Sequence, residues 1–456
     1  MVGRMGSRLR SRTLTRAGLL RASAMSLGAL ATLAACGTAG TAGQGAAPAK
    51  PSAPVEIEYW STLPDSHPTE KGRIDALRLA EQANADYFKI KFSEPAGADI
   101  TKEIAALAAG APPNLVIDYP YWAARLFLKS GLVDLDQELK TQPAWPKAKA
   151  NLPTQFLDGI QWLGHMVGIP FQISQQAMIY APDKLEKAGI KPPDQLKWTW
   201  DDFEQIAKAA AHPPDTWGLS VGWRSSGYTT WAASNGTGWL SKDGTKITFT
   251  HPEGLAGVEF LSKLTYGLGL LPLNNNQKAA GELIVKNQTV FEPNGPARFP
   301  LWRQAGVNRF QPVLFPRGPN KPTNYNWGTL YSSIVFKSTS ADKQRASLQA
   351  ALAVLADASQ LAHASSDSGL PVTKTGSDQE GYKKFVAQDP PTKAFADMFP
   401  YCGVDQTIPS QGEMRQIMDA TMLKIYSQQE GIKNALLGAE REVQALHDAD
   451  LAQMKK

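Results

Sequence analysis

The chain has 456 residues, 43% hydrophobic and 20% charged, with 38 Gly and 32 Pro; this is too apolar for a disordered chain and long enough for two or three compact units. The formal charge of +5 is misleading, because Arg4, Arg8, Arg10, Arg12, Arg16 and Arg21 stand at the start without an accompanying acid. Beyond them the chain is nearly neutral, which excludes a nucleic-acid role argued from charge.

After Arg21, residues 22–35 carry no charge. That run is too short to span a bilayer, which takes about 20 apolar residues, and it reads as the apolar region of a cleavable signal peptide. The stretch Leu33-Ala34-Ala35-Cys36 resembles the bacterial lipobox, and this resemblance implies that Cys36 becomes the first mature residue and carries acyl chains. A single chain holds a protein only marginally, at about 0.8 kcal/mol per buried methylene, whereas two or more hold it firmly. Residues 37–54 have no aromatic and no periodicity, and read as a flexible tether. Cys402, the other cysteine, is left as a lone buried thiol.

The folded part opens with Val55-Glu56-Ile57-Glu58-Tyr59-Trp60, which alternates and is rich in strand formers. A helix is expected over 69–87, a strand over 88–92, and a helix over 100–109 closed by Gly110 and Pro112-Pro113. Leu115-Val116-Ile117 is a short apolar run of the kind found in a buried parallel strand. This rhythm predicts a doubly wound α/β sheet, in which ligands lie beyond the carboxyl ends of the strands. Those ends carry Ser61, Thr62 and Asp65, then Asp118, Tyr119, Tyr121 and Trp122. Further on, a helix opens at Trp200, with Asp201 as the expected cap and Glu204 completing a capping box. Residues 217–221 read as a strand, 252–266 as a helix and 411–447 as helical.

The order of several local patterns resembles the family 1 extracellular solute-binding proteins, receptors for carbohydrate ABC importers. These patterns are Ile57-Glu58-Tyr59-Trp60-Ser61, Ala109-Gly110-Ala111-Pro112-Pro113-Asn114, Gly168-Ile169-Pro170, Met178-Ile179-Tyr180-Ala181-Pro182-Asp183-Lys184-Leu185, Thr199-Trp200-Asp201-Asp202-Phe203, His251-Pro252-Glu253-Gly254 and Ser368-Gly369-Leu370-Pro371-Val372. The resemblance covers nearly all of residues 55–456. It implies an α/β fold of the two-lobe periplasmic-binding-protein type (class II), with lobes joined by a hinge of several crossovers.

The implied organisation is a lipoprotein signal peptide at 1–35, a lipid-anchored linker at 36–54, a first lobe at 55–172, a second lobe at 173–327, a return to the first at 328–371, and a helical part, mostly second lobe, at 372–456. Crossovers are expected near 170–175, 326–331 and 370–373. The implied function is capture of a small solute, a sugar or oligosaccharide, by a monomer that delivers it to the permease subunits of an ABC importer, without a cofactor. A glycerophosphodiester or another anionic polyol is the alternative ligand.

Sugars present apolar C–H faces and many hydroxyls, which flat aromatic rings and polar side chains recognise. The ligand contacts expected on this basis are Asp65, Tyr119, Tyr121, Trp122, Gln175, Trp223, Trp231, Asn294, Trp327 and Tyr401. Val290-Phe291-Glu292-Pro293-Asn294-Gly295-Pro296-Ala297 matches a family loop, but Ala297 stands where the family often has Trp, so a stacking platform is missing there. Arg298 and Arg303 would favour an anionic ligand if they faced the cleft.

The chain has no CxxC, no HxxxH pair and no Walker loop, so zinc chemistry and ATP hydrolysis are not expected of it. An exported glycosidase, which needs two opposed carboxylates, is the rival from another class. A sensor or scaffold that retained the binding fold is a third reading.

Overall fold

Strand Val55–Trp60 turns Ile57 and Tyr59 into the core and runs parallel to Phe88–Ser93, with Val55 opposite Phe88. Its other edge pairs in parallel with Leu115–Asp118. Parallel neighbours need crossover connections, and helices Pro68–Ala83 and Thr101–Ala108 provide them. The structure, a computed structural model, describes residues 51–64, 67–93, 100–273, 277–366 and 370–454. The expected signal peptide, Cys36, most of the linker and Asp65 lie outside the described residues.

The first sheet has six strands. Strand Asn326–Val335 binds it together, pairing antiparallel with Leu115–Asp118 and Ile169–Gln175, and parallel with Cys402–Val404. The second sheet has four strands in the order Gln311–Val313, Ala177–Tyr180, Thr289–Asn294, Trp217–Leu219. Ala177 and Ile179 face one core and Met178 the other, as the two-residue period of a strand covered on both faces requires.

The chain passes between the sheets at adjoining points. Gln176 alone separates strand Ile169–Gln175 of the first sheet from Ala177–Tyr180 of the second, and its N–H donates to the Trp327 carbonyl, at 2.7 Å, on the strand that returns. The third passage comes later than the expected 370–373. Leu370 and Val372 stay in the first core, where the Val372 N–H donates to Gln360 Oε1 at 2.9 Å and Thr373 caps helix Lys374–Asp378. Only then does helix Pro390–Met398 lie against Gln311–Val313 of the second sheet. Cys402–Val404 rejoins the first sheet, and helix Gln411–Tyr426 packs on helix Ser225–Ser234 of the second lobe.

Four helix ends differ from the sequence expectation, each for a local reason. The first helix stops at Ala83 because Asn84 Nδ2 donates to the Ala80 carbonyl and the chain turns, with Tyr87 N–H bonded to Asn84 O. Helix Trp200–Ala210 is capped by Thr199, not Asp201. Thr199 Oγ1 accepts from the Asp202 N–H while Asp202 Oδ2 accepts from the Thr199 N–H, and Glu204 pairs with Lys263 instead. Helix Pro252–Ser262 widens into a π-helical turn at Lys263–Gly267. The last helical region is two helices, Gln411–Tyr426 and Ile432–Met454, broken where Gln428 takes a positive φ of 57°. No described helix is long and apolar enough to cross a membrane.

Candidate functional site

On the first lobe, the carboxyl end of strand Leu115–Asp118 leads directly into helix Pro120–Leu128, and the junction presents Tyr119, Tyr121 and Trp122. Tyr119 and Tyr121 stack at 4.9 Å, Tyr121 and Trp122 meet at 4.7 Å, and Tyr331 lies 4.5 Å from Tyr119 with its hydroxyl donating to the Tyr119 hydroxyl at 2.8 Å. Cations bound this ladder at both ends. Fully buried Arg73 places its guanidinium 4.6 Å from the Tyr331 ring. Arg415, from helix Gln411–Tyr426, lies between Tyr121 of the first lobe at 5.7 Å and Trp239 of the second at 5.2 Å. Arg415 Nη2 also donates to Asp405 Oδ2 at 3.0 Å, and the same helix is tied to the first lobe by the Arg125–Glu413 ion pair.

Beside the ladder, burial pushes the Asp118 carboxyl up to about 7, outweighing the Tyr119 N–H it accepts at 2.7 Å and the field of Arg73. The folded chain thus keeps a proton that the unfolded chain releases near the ordinary value of 3.8. The stability tied to that proton is complete below this value and is lost as pH rises through 7. The neutral variant Asp118→Asn is expected to flatten the fall in melting temperature between pH 4 and 7. An unaltered slope in thermal melts across that range would show that Asp118 ionises freely in the folded protein.

The second lobe contributes two basins. The larger, about 970 Å³, opens beyond the carboxyl ends of Trp217–Leu219 and Thr289–Asn294. Its walls include Arg224, Glu292, Asn294 and Arg298, with Gln176 and Trp327 from the crossing strands. The smaller, about 500 Å³, is lined by Trp239, Lys321, Tyr325, Asp405 and again Trp327. Trp327 is therefore a wall common to both, and its buried Nε1 has no hydrogen-bond partner among the described residues. An in-plane N–H donor at the edge of a ring that lines a cavity suits a hydroxyl-bearing ligand.

Among the residues expected from sequence, Asn294 and Trp327 line a basin, while Tyr119, Tyr121 and Trp122 form the first-lobe ladder. Trp231 does neither. It is fully buried in the second core, edge-on to Phe260 at 5.0 Å and near Trp200 and Phe203, because its helix turns that face inward. Trp223 is likewise buried, against Tyr266 and Tyr426. Gln175 has no exposed surface and lines neither basin, yet both its amide atoms lack partners among the described residues. Tyr401 ends a short 3-10 turn and is exposed, apart from both basins.

Arg303 is held by Asp389 at 3.0 Å, whereas Arg298 lines the larger basin. Glu292, Asp405 and Arg415 went unnoticed in the sequence. Glu292 had one signal, a lone acid after the apolar pair Val290-Phe291; Arg415 had none, since a helical arginine is ordinarily solvent-facing. Trp239, close to the turn at Lys242-Asp243-Gly244, lines the smaller basin. No group of three or more potential metal ligands is found among the described residues.

A family model described as bacterial extracellular solute-binding protein matches residues 76–360, more than half of the chain. No curated protein matches the sequence. Among solved structures, the sugar-binding protein MalE from Xanthomonas citri superposes with a TM-score of 0.74 at 15% identity, covering 88% of this chain and 100% of that one. An ABC substrate-binding protein from Listeria monocytogenes in complex with cycloalternan gives 0.71 at 20% identity, covering 86% and 99%. UgpB from Mycobacterium tuberculosis in complex with glycerophosphocholine gives 0.71 at 16% identity, covering 88% and 100%. At these identities the likeness shows a shared two-lobe fold.

Proposed function

Because this chain belongs to the bacterial extracellular solute-binding proteins, we propose that it captures a sugar or oligosaccharide between its two lobes and delivers it to the permease of an ABC importer. It acts as a monomer held to the outer face of the cell membrane by acyl chains on Cys36, and it performs no chemistry on its ligand. The observation that carries this reading is Trp327, an indole on a crossing strand that walls both basins and whose donor has no partner among the described residues. A solute touching it meets the passage between the lobes, so contacts to both lobes favour their closure, and a permease can read closure as loading.

The aromatic ladder supports the same reading from the first lobe. Outside both basins, half-buried Tyr119 and Trp122 keep some ring surface for the C–H faces of a sugar, with Tyr121 buried between them, and Asn294 offers amide groups for hydroxyls in the larger basin.

The test is calorimetric titration and thermal denaturation of the purified protein against monosaccharides, oligosaccharides and polyols. A ligand at 100 times its Kd adds about 2.7 kcal/mol to stability. A rise in melting temperature with one sugar class, with the sugar recovered unchanged, is the expected result. Hydrolysed product would replace the receptor by an exported carbohydrate-active enzyme, and silence across all classes would favour a sensor or scaffold.

A further inference from the structure

The larger basin contains a carboxyl group that the fold leaves half used. Glu292 lies in strand Thr289–Asn294 and is 6% exposed. Its Oε1 accepts from Asn294 Nδ2 at 2.7 Å, while its Oε2 is buried with no hydrogen-bond partner among the described residues. An orphaned buried oxygen costs stability unless something else satisfies it, and this residue lines the basin.

The charges around it are mostly basic. Arg224 enters from the start of helix Ser225–Ser234, Glu282 from helix Gln277–Val285 and Lys286 from just past its end, and Arg298 from helix Arg298–Gln304. Asp419 holds Arg224, and Glu282 holds Lys286. No acid forms an ion pair with Arg298 among the described residues, and its side chain is exposed. Burial pushes the Glu292 carboxyl up to about 8, against the downward pull of Asn294 and Arg298. Near pH 7 the acid is thus mostly protonated and can donate, and the Arg298 cation has no compensating ion pair among the described residues. A neutral donor next to a free guanidinium fits an anionic oxygen group, which takes paired bonds from guanidinium. It does not fit a cation.

We propose that Glu292 Oε2 and the Arg298 guanidinium together bind an oxyanion, the phosphoryl or carboxylate group of an acidic sugar or polyol, in the larger basin, while Trp327 covers the polyol portion. This rests on the reading that the chain captures a solute, and it names the class of that solute. Ionisation of Glu292 would set a carboxylate against the bound anion, so affinity should fall as pH rises past neutrality.

The test is calorimetric titration of the purified protein with matched neutral and anionic pairs: glycerol and glycerol 3-phosphate, glucose and glucose 1-phosphate, and glucose and glucuronate. The phosphorylated and carboxylated members separate the two sources of the oxyanion. An anionic member is expected to bind at least tenfold more tightly than its neutral counterpart at pH 7. Arg298→Ala, at an exposed position, should erase that preference. Glu292→Gln, an isosteric and permanently neutral replacement, should keep the preference at pH 7 and lose the decline in affinity that the natural protein shows between pH 7 and 9.

If a neutral sugar binds as tightly as its anionic form, or if Arg298→Ala leaves the preference intact, solute capture stands and the oxyanion site is overturned. Preference for a cationic amino sugar would also overturn it, by making Glu292 an ionised partner. Failure of every compound to bind would overturn both the site and the capture on which it rests.

Discussion

Arg73→Ala is expected to cost about 3–5 kcal/mol of stability, the usual loss when one partner of a buried ion pair is removed. Arg73 and Glu70 have no exposed surface. Arg73 Nη1 donates to Glu70 Oε2 at 3.1 Å and to Thr62 Oγ1 at 2.8 Å, and its Nε donates to Gln172 Oε1 at 3.3 Å. The other Glu70 oxygen accepts from the Tyr59 hydroxyl at 2.6 Å. Truncating the arginine leaves a buried carboxylate with only hydroxyl support, and removes the cation beneath the Tyr331 ring. Urea unfolding should show a lower midpoint with an unchanged m-value. The double replacement Glu70→Leu with Arg73→Leu should recover part of the loss, because no uncompensated charge then stays buried. A loss below about 1 kcal/mol, the range of an exposed pair, would mean that water reaches this cluster.

Trp327→Ala is expected to weaken ligand binding by about 30-fold or more, the equivalent of the roughly 2 kcal/mol that marks an aromatic contact residue in a desolvated site. The indole is 8% exposed and walls both basins, so its removal merges them and deletes the ring face that a ligand would cover. Trp327→Phe separates the two contributions of this side chain. It keeps an aromatic face and loses the Nε1 donor, so it should bind more weakly than the natural protein and more tightly than the alanine variant. Titration of whichever sugar stabilises the natural protein provides the readout. Equal binding by all three proteins would place the ligand away from the crossing strands.

The first-lobe cluster shows how far local pattern reaches. Tyr119, Tyr121 and Trp122 could be picked from the sequence because they follow a short apolar strand, and residues just past such a strand lie at the ligand-facing edge of an α/β sheet. Asn294 and Trp327 were legible through the resemblance of their surrounding segments. Trp231 was misread because a tryptophan among Thr, Ser and Gly looks half-exposed in a sequence. Its helix is covered instead by Pro252–Ser262 on one face and by Gln411–Tyr426 on another, so polar neighbours do not signify solvent there. The Thr230 hydroxyl bonds the Ser226 carbonyl one turn earlier, which lets a polar residue sit inside a packed helix.

The sequence by itself determined what local chemistry controls: the basic, apolar and small-residue order of the first 36 residues, the strand-helix rhythm from Val55, the family, and the crossing strands around Gln175 and Trp327. Only the tertiary structure decided the rest. It brought Arg415 between Tyr121 and Trp239, residues far apart in the chain, and it buried Arg73 with Glu70 beneath Tyr331. It also set Glu292 and Arg298, which forms no ion pair among the described residues, in one cavity where burial raises the Glu292 carboxyl. Spacing along a chain records which way a residue faces on its own helix or strand. Burial, ion pairing and the state of a proton depend on what other segments bring to that face, and those partners are chosen by packing.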